Sequence, residues 1–86
     1  MMTRDQIGDA TRQYIRKNFL YSDSQPLADD QSLLGTGVVD STGILELITF
    51  LEEEFSLRFK DEELVADNFD SVNRISAFVE RKLTAS

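Results

Sequence analysis

The chain has 86 residues, 41% of them hydrophobic, and a net charge of −7, with neither cysteine nor histidine. That length predicts one domain, residues 1–86, with a modest core and a thin stability margin. Without a thiol or an imidazole there are no disulfides, no cysteine metal sites and no side chain that ordinarily titrates near neutral pH, so a self-contained enzyme is disfavoured and no catalytic or metal-ligating residue is assigned.

Taken in chain order, Thr3 followed by Gln6 reads as a capping box. Ile7, Ala10, Tyr14, Ile15 and Phe19 then recur at helical spacing, which predicts a first helix over 3–19. The stretch LYSDSQPLADDQSLLGTGVVD, residues 20–40, is rich in turn formers. Loops of that length are uncommon in compact domains. Leu27, Leu33, Leu34, Val38 and Val39 are expected to pin it to the core.

From Ser41 the pattern is helical again, with Ile44, Leu47, Ile48, Leu51 and Phe55 on one stripe at about 100° per residue. Residues 55–59, FSLRF, alternate like a strand, but no partner strand is in sight and an extended connector is expected. A short helix is predicted around 61–66. A last helix starts near Asp70 or Ser71, with Val72, Ile75, Phe78, Val79 and Leu83 inward. These elements predict an all-α fold, a small four-helix bundle of three longer helices and one short one, with a long loop between the first and second helices.

Charge is unevenly distributed. Residues 18–57 hold eight carboxylates and no lysine or arginine. Such a segment repels polyanions, so no nucleic-acid partner is expected; basic protein surfaces fit better. No apolar run approaches the roughly 20 residues of a membrane span, and the opening MMTRDQIGDA carries no signal-peptide core, so no membrane association and a cytoplasmic location are expected. No segment has the spacing of a calcium-binding loop.

Asp-Ser occurs three times, at 23–24, 40–41 and 70–71. Both residue types favour helix N-caps. Ser24 reads as a turn residue and Ser71 as a cap. Ser41 differs in its surroundings, because it borders a solvent-facing strip of Thr42, Leu45, Glu46, Thr49, Glu52 and Glu53. One exposed leucine among carboxylates suits transient docking. The helix N-terminus would stabilise a phosphate ester on Ser41. Gly43 either leaves room for a bulky attachment or is a tolerated glycine in the first turn. Phe50, about 180° around the same helix from Ser41, is expected either to pack under the long loop or to edge the docking face.

These residues resemble the acyl carrier proteins, small acidic four-helix proteins that carry a 4′-phosphopantetheine arm on a serine. The resemblance is strongest over GVVDSTGILELITFLEEEFSLRFKDEEL, residues 37–64, and weaker over NFDSVNRISAFV, residues 68–79. Asp40 and Ser41 match the head of the family's acidic second helix, and Leu51-Glu52-Glu53-Glu54-Phe55 matches its end. Thr42 departs from the usual leucine, which puts the docking preferences of fatty-acid carriers in doubt and brings the sequence nearer to free-standing carriers that work beside adenylate-forming ligases.

The resemblance implies that Ser41 is the attachment site of 4′-phosphopantetheine, taken covalently from coenzyme A, and that Asp40 lies near the Mg²⁺ of the phosphopantetheinyl transferase. It implies further partners too: an acyl- or aminoacyl-loading ligase and downstream synthases or transferases, whose basic patches read Thr42, Leu45, Glu46, Thr49, Glu52 and Glu53 on a monomeric carrier. The arm would supply the thiol that the polypeptide lacks. An aminoacyl or D-alanyl-type carrier is one alternative. An unmodified acidic helical interaction module, which would make no use of Ser41, is another. Phe69 and Phe78 occupy interior space that a long acyl chain would need, a hint of short or polar cargo.

Overall fold

The computed structural model describes residues 2–20 and 25–85, among which the regular elements are helices and there is no strand. The pair Asp23-Ser24 lies outside the described residues. Helix α1 spans Arg4–Phe19 and begins at the expected capping box. The Gln6 N–H donates to Thr3 Oγ1 at 3.2 Å, and the Thr3 N–H donates to Gln6 Oε1 at 2.9 Å. Helix α2 spans Gly43–Phe55 and ends where Ser56 turns left-handed, at φ 55°. That turn lets the N–H groups of both Ser56 and Leu57 donate to the Glu52 carbonyl, closing the helix.

The short helix expected over 61–66 is two pieces: a 3₁₀ turn, Asp61–Glu63, and helix α3, Ala66–Phe69. Extended backbone at Val65 divides them. Glu63 explains the division. Its carboxylate accepts from the Lys60 N–H at 2.8 Å and from Lys82 Nζ at 2.8 Å, and its carbonyl accepts from Asn68 Nδ2. Helix α4 spans Val72–Ala85, with Ser71 as its cap.

Helix α1 packs mainly against α4 and more lightly against α2, and α3 packs against α4. The shared core takes Ile7 and Ile15 from α1, Leu47, Leu51 and Phe55 from α2, and Val72, Ile75, Phe78 and Val79 from α4. Small residues let α1 and α4 approach closely: Gly8 is buried, and a Cβ there would lie 3.2 Å from Ser76 Oγ. The buried hydroxyls of Thr11 and Ser76 are satisfied within their own helices, donating to Ile7 O at 2.8 Å and Val72 O at 2.7 Å. The Cα radius of gyration, 12.1 Å, is what packing of a chain this long requires.

The 55–59 segment is an extended connector, as expected, and Phe59 anchors it. Its ring meets Phe69 and Phe78 at centroid distances of 5.3 and 5.5 Å, and Phe69 meets Phe78 at 5.6 Å. Phe50 stacks on Tyr14 of α1, with centroids 4.1 Å apart and ring planes at 16°. No helix among the described residues is long and apolar enough to cross a membrane.

Candidate functional site

The segment leading into α2 is held by hydrogen bonds that reach across the chain. Leu27, Leu33 and Val39 are buried and Val38 is half-buried, as expected of anchors, but Leu34 is 37% exposed. The Leu34 backbone, not its side chain, is what the fold uses: its N–H donates to Asp70 Oδ1 at 2.9 Å. Ser32 Oγ donates to Asp70 Oδ2 at 2.7 Å, and the Leu33 N–H donates to the Asp70 carbonyl at 2.7 Å. Leu33 O in turn accepts from the Val39 N–H at 3.1 Å. One aspartate at the start of α4 thus sets the path of the residues just before Asp40. Burial by itself would raise the Asp70 carboxyl, but the Ser32 hydroxyl, the Leu34 N–H and the nearby Arg74 outweigh it and hold it below the usual aspartate range. A second tie joins the loop to the helices: Asp29 accepts from Arg12 at 2.7 Å while its carbonyl accepts from the Asn73 N–H.

At the head of α2 the capping oxygen belongs to Asp40. Asp40 Oδ1 accepts from the Gly43 N–H at 2.6 Å, and the Asp40 carbonyl accepts from the Ile44 N–H at 2.9 Å. That is the N-cap arrangement, with Ser41 and Thr42 as the first turn. Thr42 makes no capping bond with its side chain. Ser41 is exposed, and its hydroxyl makes no hydrogen bond among the described residues. Asp40 does the structural work that a serine at such a position often does, and the Ser41 hydroxyl is left facing water.

Gly43 has a reason that neither expectation supplied. It is buried, and a Cβ there would sit 2.8 Å from Phe19 Cε1 and 3.2 Å from Val39 Cγ1 and Asp40 Oδ1. The glycine lets the end of α1 touch the start of α2. Beside it, a shallow groove of about 400 Å³ runs past Phe19, Leu20, Val38, Asp40, Thr42 and Glu46.

Along α2, Leu45 is 61% exposed and Glu46, Thr49 and Glu53 face solvent with it. Thr49 Oγ1 donates to Leu45 O at 3.0 Å, which ties the threonine hydroxyl to its own helix. Glu52 departs from the expected strip. It is half-buried, and its Oε2 accepts from the Phe59 N–H at 3.0 Å, because the connector that leaves α2 has an amide with no helical partner. The structure therefore brings Ser41, Thr42, Leu45, Glu46, Thr49 and Glu53 to the exposed side of one helix and turns Glu52 toward the connector.

Two residues that sequence reasoning did not place near the site belong to its surroundings. Asp70 acts at a distance of more than thirty positions and leaves no local pattern. Tyr14, expected only as an inward residue of α1, is half-buried beside Phe50, and its hydroxyl reaches Glu46 O at 3.5 Å. Burial raises the Tyr14 phenol above its ordinary value, and the charges of Glu46 and Glu53 push the same way.

No family model matches the chain. Among curated proteins it is similar to those named D-alanyl carrier protein from Streptococcus sanguinis, Streptococcus gordonii and Streptococcus thermophilus, each 39% identical over 46 residues. The match covers 54% of this chain and 58% of each relative, so the chain spans little more than half the length of the curated relatives it matches. That similarity supports a carrier protein of the phosphopantetheine type. In this chain the Asp40 cap, the Ser41 hydroxyl and the exposed face of α2 follow one another along a single helix, so a surface that meets Ser41 also meets Leu45 and Glu46.

Proposed function

We propose that this protein carries acyl or aminoacyl groups on a 4′-phosphopantetheine arm attached to Ser41, and that the chain is one carrier domain whose chemistry is done by partner enzymes. The observation that supports the reading is the division of labour at 40–41. Asp40 caps the helix, and the Ser41 hydroxyl is exposed with no hydrogen bond among the described residues. The residues fit the group. An exposed hydroxyl admits a bulky transferase, and the first turn of α2 gives a phosphodiester the favourable end of the helix dipole.

In the transfer, Ser41 Oγ attacks the β-phosphorus of coenzyme A. The pyrophosphate P–O bond breaks, adenosine 3′,5′-bisphosphate leaves, and the hydroxyl proton passes to the transferase. With no histidine in the chain, activation of Ser41 falls to the transferase and its Mg²⁺, and we assign to the charge of Asp40, beside the serine, a contact with that metal. When bound, the arm supplies the thiol on which cargo is held as a thioester. Leu45, Glu46, Thr49 and Glu53 then orient the carrier against basic patches on the transferase, the loading ligase and the downstream synthase or transferase. Thr42 lies at the rim of that face, Glu52 supports it from the connector side, and the carrier acts as a cytoplasmic monomer.

An aminoacyl cargo of the D-alanyl kind is the second reading. The names of the curated relatives favour it, as do Thr42 beside the serine and the Phe59–Phe69–Phe78 cluster, which fills interior space that a long acyl chain would need.

The test is mass spectrometry of the protein coexpressed with a broad-specificity phosphopantetheinyl transferase. One phosphopantetheinyl group should be added to the wild type and to Ser71→Ala, and none to Ser41→Ala. A group retained in Ser41→Ala would overturn the site. A wild type left unmodified would instead support an acidic interaction module.

A further inference from the structure

We propose that the pole of the molecule away from Ser41 carries a second docking site, a notch between the connector and the end of α4 that takes one carboxylate side chain, flanked by apolar residues, of a partner protein. The proposal goes beyond arm attachment and uses neither Ser41 nor the exposed face of α2. Leu57 and Arg58 lie in the connector just past α2, and Phe78, Arg81 and Lys82 come from the second half of α4, spaced i, i+3 and i+4 on one face. With Glu63 they line a single notch of about 470 Å³.

Charge decides the sign of the occupant. The chain is at −7 overall, yet this notch sets three cations against one carboxylate. Lys82 and Glu63 cancel, since Lys82 Nζ donates to both oxygens of Glu63 at 2.8 and 3.2 Å. That leaves Arg58 and Arg81, both exposed. Arg4, Arg12 and Arg74 each meet a carboxylate of this chain, whereas neither Arg58 nor Arg81 enters an ion pair among the described residues. The Arg81 guanidinium is nevertheless held in place: its Cζ lies 5.6 Å from the centroid of the Phe78 ring, a contact that consumes none of its donors. Two positioned guanidinia with unused donors call for an anion from outside.

The floor of the notch decides the rest. Leu57 is half-buried and the Phe78 ring is buried beneath Arg81, so a bare inorganic anion would leave apolar surface wet, and apolar neighbours of a carboxylate would cover it. A nucleic acid or an anionic membrane would bring many negative charges toward a chain that already carries an excess of them. A protein segment with one carboxylate meets the two arginines without that repulsion. Helix α2 has 13 residues, so its ends lie roughly 20 Å apart at 1.5 Å per residue, with Ser41 before one end and Leu57 past the other. A segment seated in the notch therefore leaves Ser41 uncovered. A partner tethered at this pole would raise the local concentration of an enzyme working at the other.

The test is an NMR titration of the full, unmodified chain with two acetylated and amidated peptides, Ala-Leu-Glu-Leu-Ala and Ala-Leu-Gln-Leu-Ala, and with phosphatidylglycerol vesicles. The glutamate peptide should shift the amides of Leu57, Arg58, Phe78, Arg81 and Lys82 and bind about five-fold more tightly than the glutamine peptide, the preference expected of a charge-assisted contact at a partly exposed site. Arg58→Gln with Arg81→Gln, both at exposed positions, should bring the two affinities together while the rest of the spectrum stays that of the folded wild type. Equal affinities in the wild type, or glutamate-peptide shifts centred on Arg12 or Arg74, would overturn the proposal. So would a response of these amides to the vesicles and to neither peptide, which would make the notch a lipid site. Because the titration needs no transferase, it gives the same answer in Ser41→Ala, and its failure is separate from a failure of arm attachment.

Discussion

Asp40-Ser41 and Asp70-Ser71 are the same dipeptide ahead of two helices, and the fold assigns their side chains opposite work. At 70–71 the serine is the cap: Ser71 is 3% exposed and its Oγ accepts from the Arg74 N–H at 3.1 Å. The aspartate there is free to reach outward, and it organises the loop through Ser32 and Leu34. At 40–41 the aspartate is the cap, and the serine projects into solvent. A dipeptide therefore has no role of its own. What separates the two pairs is which oxygen the helix uses, since the remaining side chain is the one available for other work.

The comparison breaks most visibly at Asp70. Asp70→Ala removes two charge-assisted hydrogen bonds and strands the Ser32 hydroxyl and the Leu34 N–H, so it should destabilise the protein by about 2 kcal/mol. A domain of this size should then melt roughly 10 °C lower. The pH dependence carries the same information. The Asp70 carboxyl is depressed in the fold, so its contribution is complete above the ordinary aspartate value of about 3.9 and is lost as pH falls through the lower folded value. Glu63 is also held low, by the Lys60 N–H and then by Lys82. Thermal melts from pH 6 to pH 2 should therefore show an acid limb that Asp70→Asn flattens without abolishing. An unchanged limb would mean that the loop is held by its apolar anchors alone.

The parts of this architecture that were legible in the sequence are local and periodic. Helix α1, its capping box, the inward stripes of α2 and α4, and the extended connector each follow from a repeat that neighbouring residues carry. The rest depends on partners distant in sequence. Nothing near Gly43 announces that Phe19 will lie 2.8 Å from its missing Cβ. Nothing near Glu52 announces that the Phe59 amide will claim its carboxylate. The division of 61–69 around Val65 follows from Glu63 meeting Lys82, nineteen positions away. Ser41 itself could be singled out from its neighbours, but its independence from the cap needed the Asp40–Gly43 bond.

The two caps should be about equal in strength and different in consequence. Ser71→Ala and Asp40→Ala each remove one N-cap acceptor, at about 1 kcal/mol. Asparagine caps nearly as well as aspartate, so Asp40→Asn should retain most of the stability while removing the charge beside Ser41. If that charge meets the transferase metal, Asp40→Asn will melt close to the wild type and be modified more slowly, and Ser71→Ala will do the reverse. Melting curves and single-time-point labelling of the three variants measure both. Equal labelling of Asp40→Asn and wild type would reduce Asp40 to a cap.

The smallest effect on stability should come from the residue on which the functional reading depends most. Ser41 is exposed in the first turn and makes no hydrogen bond among the described residues, so its hydroxyl holds nothing in place. Alanine is also the better helix former, by about half a kcal/mol at most. Ser41→Ala should melt within a few degrees of the wild type, or slightly above it, while losing attachment of the arm entirely. A large drop in melting temperature would show that the hydroxyl is structural after all, and the contrast with Ser71 would then be one of degree. Stability unchanged with modification abolished is the outcome that a structural serine cannot give.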